Sequence, residues 1–314
     1  MGTLTAGAFA AAGWTVRAGA RTPGPGQVQI DLDSRGSIAA AVTEEELVVN
    51  TVPHPELLAE RHVLEHGGIL INVSALPASA GRSLRAVSGA ARGTVLMNAG
   101  LAPGVTTIVA ADLLRRNPDA GELEIVFTLS ATSPRGPASA EFISRGLTTL
   151  ARHRTAVVPL PAPFGERRCV GFRERDAGWL GGIAEGRVVR QYICIAEQPV
   201  HERLLALNAA AALNKLPTEL VGARTAAADG TPSDEPVAHW IAAVREGRRL
   251  AARTVHCRGD FLHAARSTIV FADALLSRPA PAGCFDPEEI CTLRGVQDEL
   301  EAAGVRIAAP RPQL

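Results

Sequence analysis

Apolar runs alternate with small or polar segments along the first 118 residues. Residues 2–13 are rich in alanine, with Leu4, Phe9 and Ala12 on one helical face, and Gly13 is suited to end that helix. Short apolar strands are predicted at 14–20, 28–32, 47–52, 69–73 and 94–98, with helices at 37–42, 56–66, 84–91 and 105–116. Apolar strands that alternate with helices in this way predict a parallel sheet with helices on both faces.

The pattern changes after Pro118. Strands are predicted at 123–131, 155–164, 168–172 and 188–197, with helices at 139–153 and 200–213. Most of these strands are expected to be antiparallel, which is typical of an α+β unit. Residues 226–236 are predicted to form a flexible linker. The rest of the chain is predicted as a helix at 237–248, a strand at 253–258 and helices at 261–276 and 287–303.

Composition narrows the class of protein. The chain has 314 residues, 46% of them hydrophobic, which is enough for two packed units of ordinary size. Its 32 basic and 32 acidic side chains balance, and the lack of a basic stripe argues against nucleic acid or an anionic membrane as a partner. The five cysteines form no CxxC pair, and no histidine stands at zinc-finger spacing, so reduced thiols and no metal site are expected.

The chain shows no pattern that would direct it to or through a membrane. The first residues carry no basic segment followed by an apolar core. The best apolar run, at 105–114, is interrupted by Asp112 and is too short to cross a bilayer. We therefore expect a soluble, cytoplasmic protein.

Two rare residue types exclude two mechanisms. The only lysine, Lys215, stands in Asn-Lys-Leu, so the Gly-Lys-Ser/Thr of a phosphate-binding loop is absent. The only tyrosine, Tyr192, is followed four places later by Ala196, so the chain has no Tyr-xxx-Lys pair to polarise a carbonyl group.

A dinucleotide-binding unit opens with a strand, a glycine-rich turn and a helix, and a second strand follows. The first forty residues match this unit from the turn onward. Gly2 is placed as the last glycine of the turn, and the N–H groups of Gly2, Thr3 and Leu4 at the helix start are suited to hold a pyrophosphate. Arg21 ends the next predicted strand, where an NAD enzyme usually carries an acidic residue. Arg21 with Thr22 can pair a 2′-phosphate, which favours NADP; the alternative is a solvated arginine after a strand.

Polar and small residues follow the next strands at the carboxyl edge of the predicted sheet, where dinucleotides lie. One strand ends in Asn-Thr-Val-Pro at 50–53, and the next ends in Asn72-Val73-Ser74. We expect contacts with ribose and nicotinamide from these residues; the alternative is that the asparagine and serine side chains only cap the helices that follow. The candidate cofactor-binding residues at these two ends are Asn50, Thr51, Val52, Pro53, Asn72 and Ser74.

A glycine-proline turn follows the strand at 94–98. Gly100 and Gly104 flank Pro103, and we expect the backbone there to pass close to the nicotinamide, so both glycines are candidate cofactor-binding residues. Gly104→Val is expected to weaken activity far more than it lowers the melting temperature, because the added side chain would enter the site.

Two stretches resemble the saccharopine dehydrogenase-like oxidoreductases. One is Val-Val-Asn-Thr-Val-Pro at 48–53 with Gly-Ile-Leu-Ile-Asn-Val-Ser at 68–74, and the other is Asn-Ala-Gly-Leu-Ala-Pro-Gly-Val-Thr-Thr at 98–107. The end of the chain also fits, through Pro-Ala-Gly-Cys-Phe-Asp-Pro-Glu-Glu at 281–289 between two helices. The likeness is specific in the first hundred-odd residues, and in the middle it rests on the order of elements alone.

The resemblance implies an α/β fold with a Rossmann-type parallel sheet and an inserted α+β domain. It implies a dinucleotide-binding domain at 1–118, an α+β substrate and dimerisation domain at 119–235, and a C-terminal helical return to the first domain at 236–314. It also implies a homodimer that transfers a hydride from NADPH to the C=N group of a small amino-acid-like metabolite. Reduction of a C=O group is the rival chemistry.

The family's first strand, with the full glycine fingerprint, has no counterpart before the helix at 2–13. In the strand order 3-2-1-4-5-6 that strand is central, so the strands at 14–20 and 47–52 are expected in one sheet, with either a gap or a distorted direct pairing between them. A reading frame that starts upstream is the preferred explanation, and closure of the gap or insertion of another segment are the others. We expect poor NADP affinity; the alternative to an enzyme is a truncated or degenerate relative that acts as a binding module.

Candidates for substrate and proton chemistry are few. His54, at the mouth of the strand at 47–52, is the best-placed titratable group and the candidate catalytic residue; the alternative is a turn histidine with no role. Arg135 and Ser139 belong to a loop before a helix that suits a substrate carboxylate. Asp176 and Trp179 are further candidate substrate-binding residues.

Overall fold

A computed structural model of the chain describes residues 1–43, 47–74, 76, 78–133, 136–173, 177–217, 234–277 and 279–308. Its helices are α1 (Gly2–Ala11), α2 (Arg35–Ala41), α3 (Leu58–His66), α4 (Ala78–Val87), α5 (Val105–Arg116), α6 (Pro137–Thr148), α7 (Gln198–Ala209), α8 (Asp260–Leu276), α9 (Pro287–Ile290) and α10 (Leu293–Ala302). Its strands are β1 (Gly19–Ala20), β2 (Val28–Gln29), β3 (Leu47–Asn50), β4 (Ile69–Asn72), β5 (Thr94–Leu96), β6 (Glu122–Leu129), β7 (Thr155–Pro159), β8 (Glu166–Gly171), β9 (Val188–Ile195), β10 (Pro236–Arg245), β11 (Arg248–Arg258), β12 (Gly283–Phe285) and β13 (Arg306–Ile307).

The first of two compact units comprises Met1–Ile108, Gly178–Gly182 and Phe261–Ala303. Its main sheet has four strands, all parallel, in the order β12-β5-β4-β3. The middle strands are apolar because helices cover both faces: Leu70 and Val95 are fully buried and pack with Ile38 of α2 and Leu84 of α4. This unit confirms the predicted α/β fold with a parallel sheet.

The strand predicted at 14–20 is shorter than expected and does not pair with β3. β1 spans only two residues and forms a separate two-stranded parallel sheet with β2. In the part of the chain that the structure describes, β3 has a ladder with β4 on one side and none on the other. The expectation that the strands at 14–20 and 47–52 lie in one sheet, with a gap or a distorted pairing between them, is wrong, since β1 pairs with β2 in a separate sheet.

The second unit comprises Val109–Ala177, Ile183–Asp260 and Gly304–Leu314. It contains a seven-stranded mixed sheet in the order β13-β11-β10-β6-β9-β8-β7, in which only the β6–β9 pair is parallel. One face is an apolar cluster that includes Val126, Cys169, Tyr192 and Trp240. The two units agree with the predicted architecture of a parallel sheet and an α+β insertion. The exact boundaries at 118 and 235 stay predictions, because compactness alone does not define where a domain folds independently.

The helix predicted at 237–248 is wrong, because this segment is the strand β10. Residues Val237 to Val244 are all buried, since β10 lies between β6 and β11, and a run that is buried on both faces shows no period of two. Glu246 and Gly247 join β10 to β11 with φ of 51° and 76°. Two successive positive φ angles are typical of a two-residue hairpin turn, and glycine at the second position was the signal in the sequence.

The longest helix, α8, has 17 residues and buries Phe271 and Leu275. Within the described ranges, no helix has both the length and the apolar character that a membrane crossing requires. All five cysteines are buried and unbridged.

Candidate functional site

The carboxyl edge of the four-stranded sheet carries an amide or carboxylate at every strand. Asn50 and Asn72 end β3 and β4, Asn98 lies two residues after β5, and Asp286 follows β12. Backbone N–H groups after β4 and β5 donate to the carbonyls of Asn50 and Asn72 at 3.0 and 2.9 Å. The sheet therefore aligns these polar side chains along one edge, as expected for parallel strands.

A buried glutamate joins the first two of these strand ends. Glu60 of α3 is fully buried, and its Oε1 accepts hydrogen bonds from Asn50 Nδ2 at 2.8 Å and from Asn72 Nδ2 at 2.6 Å. The Oδ1 atoms of the asparagines accept from the N–H groups of Val52 and Ser74 at 2.9 and 2.8 Å. The asparagine side chains thus shape the loops after β3 and β4, which leaves the backbone of those loops and Thr51 to meet a ligand.

The start of α1 lies beside the same edge. A Cβ built on Gly2 would stand 3.2 Å from Oγ1 of Thr51. Gly2 and Thr3 are exposed, Leu4 is half-buried, and no intrahelical acceptor exists for the first N–H groups of a helix. These N–H groups are suited to an anion such as a pyrophosphate. The remaining residues of the predicted loop, Val52 and Pro53, are exposed.

Arg21 and Thr22 directly follow β1, and both side chains are exposed. This is the position that the sequence predicted for the residue that reads the ribose. Their role toward a 2′-phosphate stays a prediction.

The glycine-proline turn after β5 folds back on itself. Gly100 and Gly104 form an isolated bridge, and the N–H of Val105 donates to the carbonyl of Gly100 at 3.1 Å. Gly104 has a φ of 122°, and a Cβ built there would stand 2.0 Å from the Gly100 oxygen. The side chain would therefore clash with the turn's own backbone before it reached any ligand. Gly104→Val would therefore disturb the turn itself, which contradicts the expectation that its side chain enters the cofactor site; its effect on activity relative to melting temperature stays a prediction.

We expect Gly104→Ala to lower the free energy of unfolding by about 3 kcal/mol, because it combines a forbidden φ with a backbone clash. Urea unfolding of the purified variants measures the change. The matched control is Gly81→Ala in α4, where a Cβ meets nothing within 4 Å. That change should be neutral or stabilise by roughly 0.5–1 kcal/mol. Equal stability of the two variants would contradict this account of the turn.

His54 lies near the carboxyl end of β3, where it pairs with an acidic side chain. Its Nε2 is 2.9 Å from Oδ1 of Asp33, which lies between β2 and α2. Its Nδ1 is buried and has no partner among the described residues. The contact joins the segments after β2 and β3, so the structure gives His54 a structural partner, and its catalytic role stays a prediction.

At the other side of the sheet, Asp286 gathers several donors at the end of β12. It is almost fully buried and accepts from Arg85 Nη2 at 2.7 Å and from Asn98 Nδ2 at 2.9 Å. The N–H of Gly182 also points to it, at 3.3 Å. A Cβ on Gly181 would stand 2.3 Å from Oδ2 of Asp286, so glycine is required for this close approach.

Glu288 lies two residues after Asp286, in α9. Its Oε2 is 2.6 Å from Oγ1 of Thr107 in α5, and its Oε1 is buried with no hydrogen-bond partner in the described part of the chain. Burial, together with the nearby Asp286 carboxylate, raises the pKa of Glu288 to about 8. A carboxyl group in such surroundings holds its proton near neutral pH.

The structure describes two of the four predicted substrate residues, Ser139 and Trp179. Arg135 and Asp176 lie outside the described residues. Ser139 is half-buried in α6 of the second unit, whereas Trp179 is buried in the segment Gly178–Gly182 of the first. Their substrate role stays a prediction.

The loop before α6 does hold carboxylates, but they belong to the chain itself. Glu197 accepts from Ser130 Oγ at 2.6 Å and from the N–H of Ala131 at 2.7 Å. Glu235 accepts from Thr132 Oγ1 at 2.8 Å. These internal contacts occupy donors at 130–132, just before the loop that the sequence suggested for a substrate carboxylate.

At the carboxyl edge of the four-stranded sheet, several polar residues were not predicted as site residues from the sequence: Glu60, Arg85, Asn98, Thr107, Asp286, Glu288 and Glu289. One local signal existed, because Asp-Pro-Glu-Glu at 286–289 has the pattern of a capping box with proline in the first turn. It marks a helix start after a short apolar strand, which is where a parallel sheet places its functional groups.

No protein-family model and no curated protein matches this chain. Several solved structures are similar to it, including the following two. Saccharopine dehydrogenase (L-Glu forming) from Saccharomyces cerevisiae has 12% identity and a TM-score of 0.53 over 90% of this chain and 88% of that one. Homospermidine synthase from Legionella pneumophila, solved in complex with NAD, has 11% identity and a TM-score of 0.58 over 90% of this chain and 80% of that one. At these identities the likeness shows the fold, and it confirms the saccharopine dehydrogenase-like fold that the sequence predicted.

Proposed function

From its saccharopine dehydrogenase-like oxidoreductase fold, we propose that this chain is an NADP-dependent oxidoreductase. It transfers a hydride to the C=N or C=O group of a small amino-acid-like metabolite. The observation that carries the proposal is the carboxyl edge of the four-stranded sheet. At this edge the start of α1 meets the loops that follow β3, β4 and β5. The structure of the similar homospermidine synthase contains NAD, which supports a nicotinamide cofactor.

The residues present fit a dinucleotide. The N–H groups of the first turn of α1, beside Thr51, suit the pyrophosphate, and the exposed Arg21 suits a 2′-phosphate. In the turn after β5, Gly104 presents backbone with no side chain at that position. Bound NADPH would supply the hydride, and the residues of this chain would bind it, orient it and hold the accompanying proton.

The chain should bind NADPH at least about tenfold more tightly than NADH, equivalent to roughly 1.4 kcal/mol, because a guanidinium pairs the 2′-phosphate. Arg21→Ala should remove most of that difference. Arg82→Ala, an exposed arginine in α4, is the control and should retain it. Isothermal titration of the three proteins with both cofactors measures the ratios. Equal affinity of the wild type for NADPH and NADH would exclude the role of Arg21.

The substrate class is tested by cofactor oxidation. Loss of NADPH absorbance is followed with pairs of a primary amine and a keto acid, and in parallel with simple ketones. Turnover with the pairs alone indicates C=N reduction, and turnover with ketones alone indicates C=O reduction. Binding of NADPH without turnover of any member of either panel would contradict the enzymatic function.

A second candidate function is a binding module that keeps the fold without catalysis. The observation in its favour is the separation of β1 and β2 from the four-stranded sheet, which interrupts the edge on which a dinucleotide normally lies. We expect the affinity for NADPH to be reduced for this reason. The titration separates the two candidates, since a binding module would bind neither cofactor even at millimolar concentration.

A further inference from the structure

Glu288 and its surroundings, all within the first unit, carry chemistry that a hydride transfer requires. We propose that Glu288 is the proton donor of the reduction, and that it delivers the proton that it holds at Oε2, beside Thr107. This assignment rests on the proposed function and names a residue for it. The carboxyl group is held at one oxygen by Thr107, and the other oxygen is buried and unpartnered among the described residues.

The two hydrogen bonds of the Thr107 hydroxyl group indicate whether Glu288 carries a proton. Its Oγ1 is 2.9 Å from the Gly104 carbonyl oxygen and 2.6 Å from Oε2 of Glu288. A hydroxyl has one proton to donate, and a carbonyl oxygen only accepts. When the Thr107 proton goes to Gly104, the hydrogen bond to Glu288 must be donated by the carboxyl group. The geometry therefore suits a neutral, protonated Glu288.

The charged groups around Glu288 support the same protonation state. Asp286 and Glu289, two and one residues away, are both acidic, and each raises the pKa of Glu288. The one cation of the cluster, Arg85, donates to Asp286 at 2.7 Å and to Glu289 at 2.6 Å. Since Arg85 is engaged by these two carboxylates, it stabilises them, and burial of Glu288 favours its neutral form.

The position of Glu288 suits a donor at the cofactor edge. Thr107 follows the Gly100–Gly104 turn by three residues, in the first turn of α5. Asn98, at the end of β5, donates to Asp286 through Nδ2 and leaves Oδ1 buried without a partner in the described residues. An acid hydrogen on Glu288 is complementary to a group that accepts a proton, such as an imine nitrogen that becomes an amine.

The proposed reduction transfers one hydride and one proton. Bound NADPH would supply a hydride, with two electrons, to the carbon of the C=N or C=O group and would leave as NADP⁺. The electrons of the C–N or C–O π bond go to the heteroatom, which takes the proton from Oε2 of Glu288. Glu288 is left as a carboxylate, and rotation of the Thr107 hydroxyl from Gly104 to Oε2 then donates a hydrogen bond to it. A proton from solvent restores the acid.

The first arm of the test needs no substrate. Full-length protein is labelled with ¹³C at glutamate carboxyl groups, and the Glu288 signal is assigned by its loss in Glu288→Gln. Titration above neutral pH supports the proposal. Titration near the ordinary value of about 4.3 overturns it, because the donor would be ionised at working pH.

The second arm is NADPH oxidation with the amine and carbonyl panel of the proposed function. Glu288→Gln should lose on the order of 100-fold in kcat with an unchanged dissociation constant for NADPH. Glu299→Gln, at an exposed position of α10, is the control and should keep wild-type turnover. Wild-type turnover that persists in Glu288→Gln overturns the assignment of Glu288 alone. Absence of wild-type turnover with every substrate overturns the proposed function, and the titration arm distinguishes the two failures.

Discussion

Replacement of Glu60 with alanine should lower the free energy of unfolding by about 3 kcal/mol or more. The change removes the acceptor of both Asn50 and Asn72, whose Nδ2 groups donate to one buried oxygen at 2.8 and 2.6 Å. Two amide donors would then stay buried without partners, and each such group is costly. Because the same asparagines shape the loops after β3 and β4, we expect faster hydrogen exchange in both loops.

Two further variants test whether the loss of stability in Glu60→Ala comes from the buried hydrogen bonds. Glu60→Gln keeps one oxygen as an acceptor and places its amide where the present Oε2 has no partner, so it should be much milder than alanine. Glu65→Ala, an exposed position of the same helix, should change the stability by less than about 0.5 kcal/mol. Urea unfolding measures all three. A loss in Glu60→Ala no larger than in Glu65→Ala would show that the network contributes nothing.

The stability of the wild type relative to Glu288→Gln should fall as the pH rises. In the folded protein burial raises the pKa of Glu288 to about 8, from an ordinary value of 4.5. The folded state therefore binds a proton that the unfolded state releases between these values. Below pH 4.5 the contribution of the neutral acid is fully present, and it is lost progressively until about pH 8. The slope is at most about 1.4 kcal/mol per pH unit.

Denaturant unfolding at intervals from pH 4 to pH 9 tests this expectation. The difference between the two proteins isolates Glu288, because the other titratable groups are common to both. Glutamine cannot ionise, so the variant should become the more stable protein at alkaline pH. A difference for Glu288→Gln that does not vary with pH would mean that this carboxyl group titrates equally in the folded and unfolded states.

The local periodicity of the sequence was sufficient for the α/β class and for the edge where the candidate site lies. Apolar segments of strand length, such as 69–73, alternate with amphipathic helices, and this predicts a parallel sheet before any contact is known. Parallel strands end at a common edge, so Asn50, Asn72 and the turn at 100–104 could be placed together from their positions in the chain alone.

Periodicity could not identify the partner of each buried face. The run at 237–244 was predicted as a helix, and only its position between β6 and β11 makes it a strand, since a central strand is buried on both faces. β1 pairs with β2 in a sheet that does not contain β3. This choice of partner likewise depends on which strand edges are available in the folded chain.

The polar chemistry of the site depended on contacts between distant parts of the chain. Asn98 and Asp286 are 188 residues apart in sequence, and Thr107 and Glu288 are 181 apart. The spacing of Glu60 from Val63 and Leu64 places it on the apolar face of α3, but no local pattern identifies its partners Asn50 and Asn72. The sequence by itself determined the class of fold and the edge that carries the site. Only the tertiary structure decided which carboxyl groups are buried there, because burial and the resulting pKa arise from residues that meet through folding.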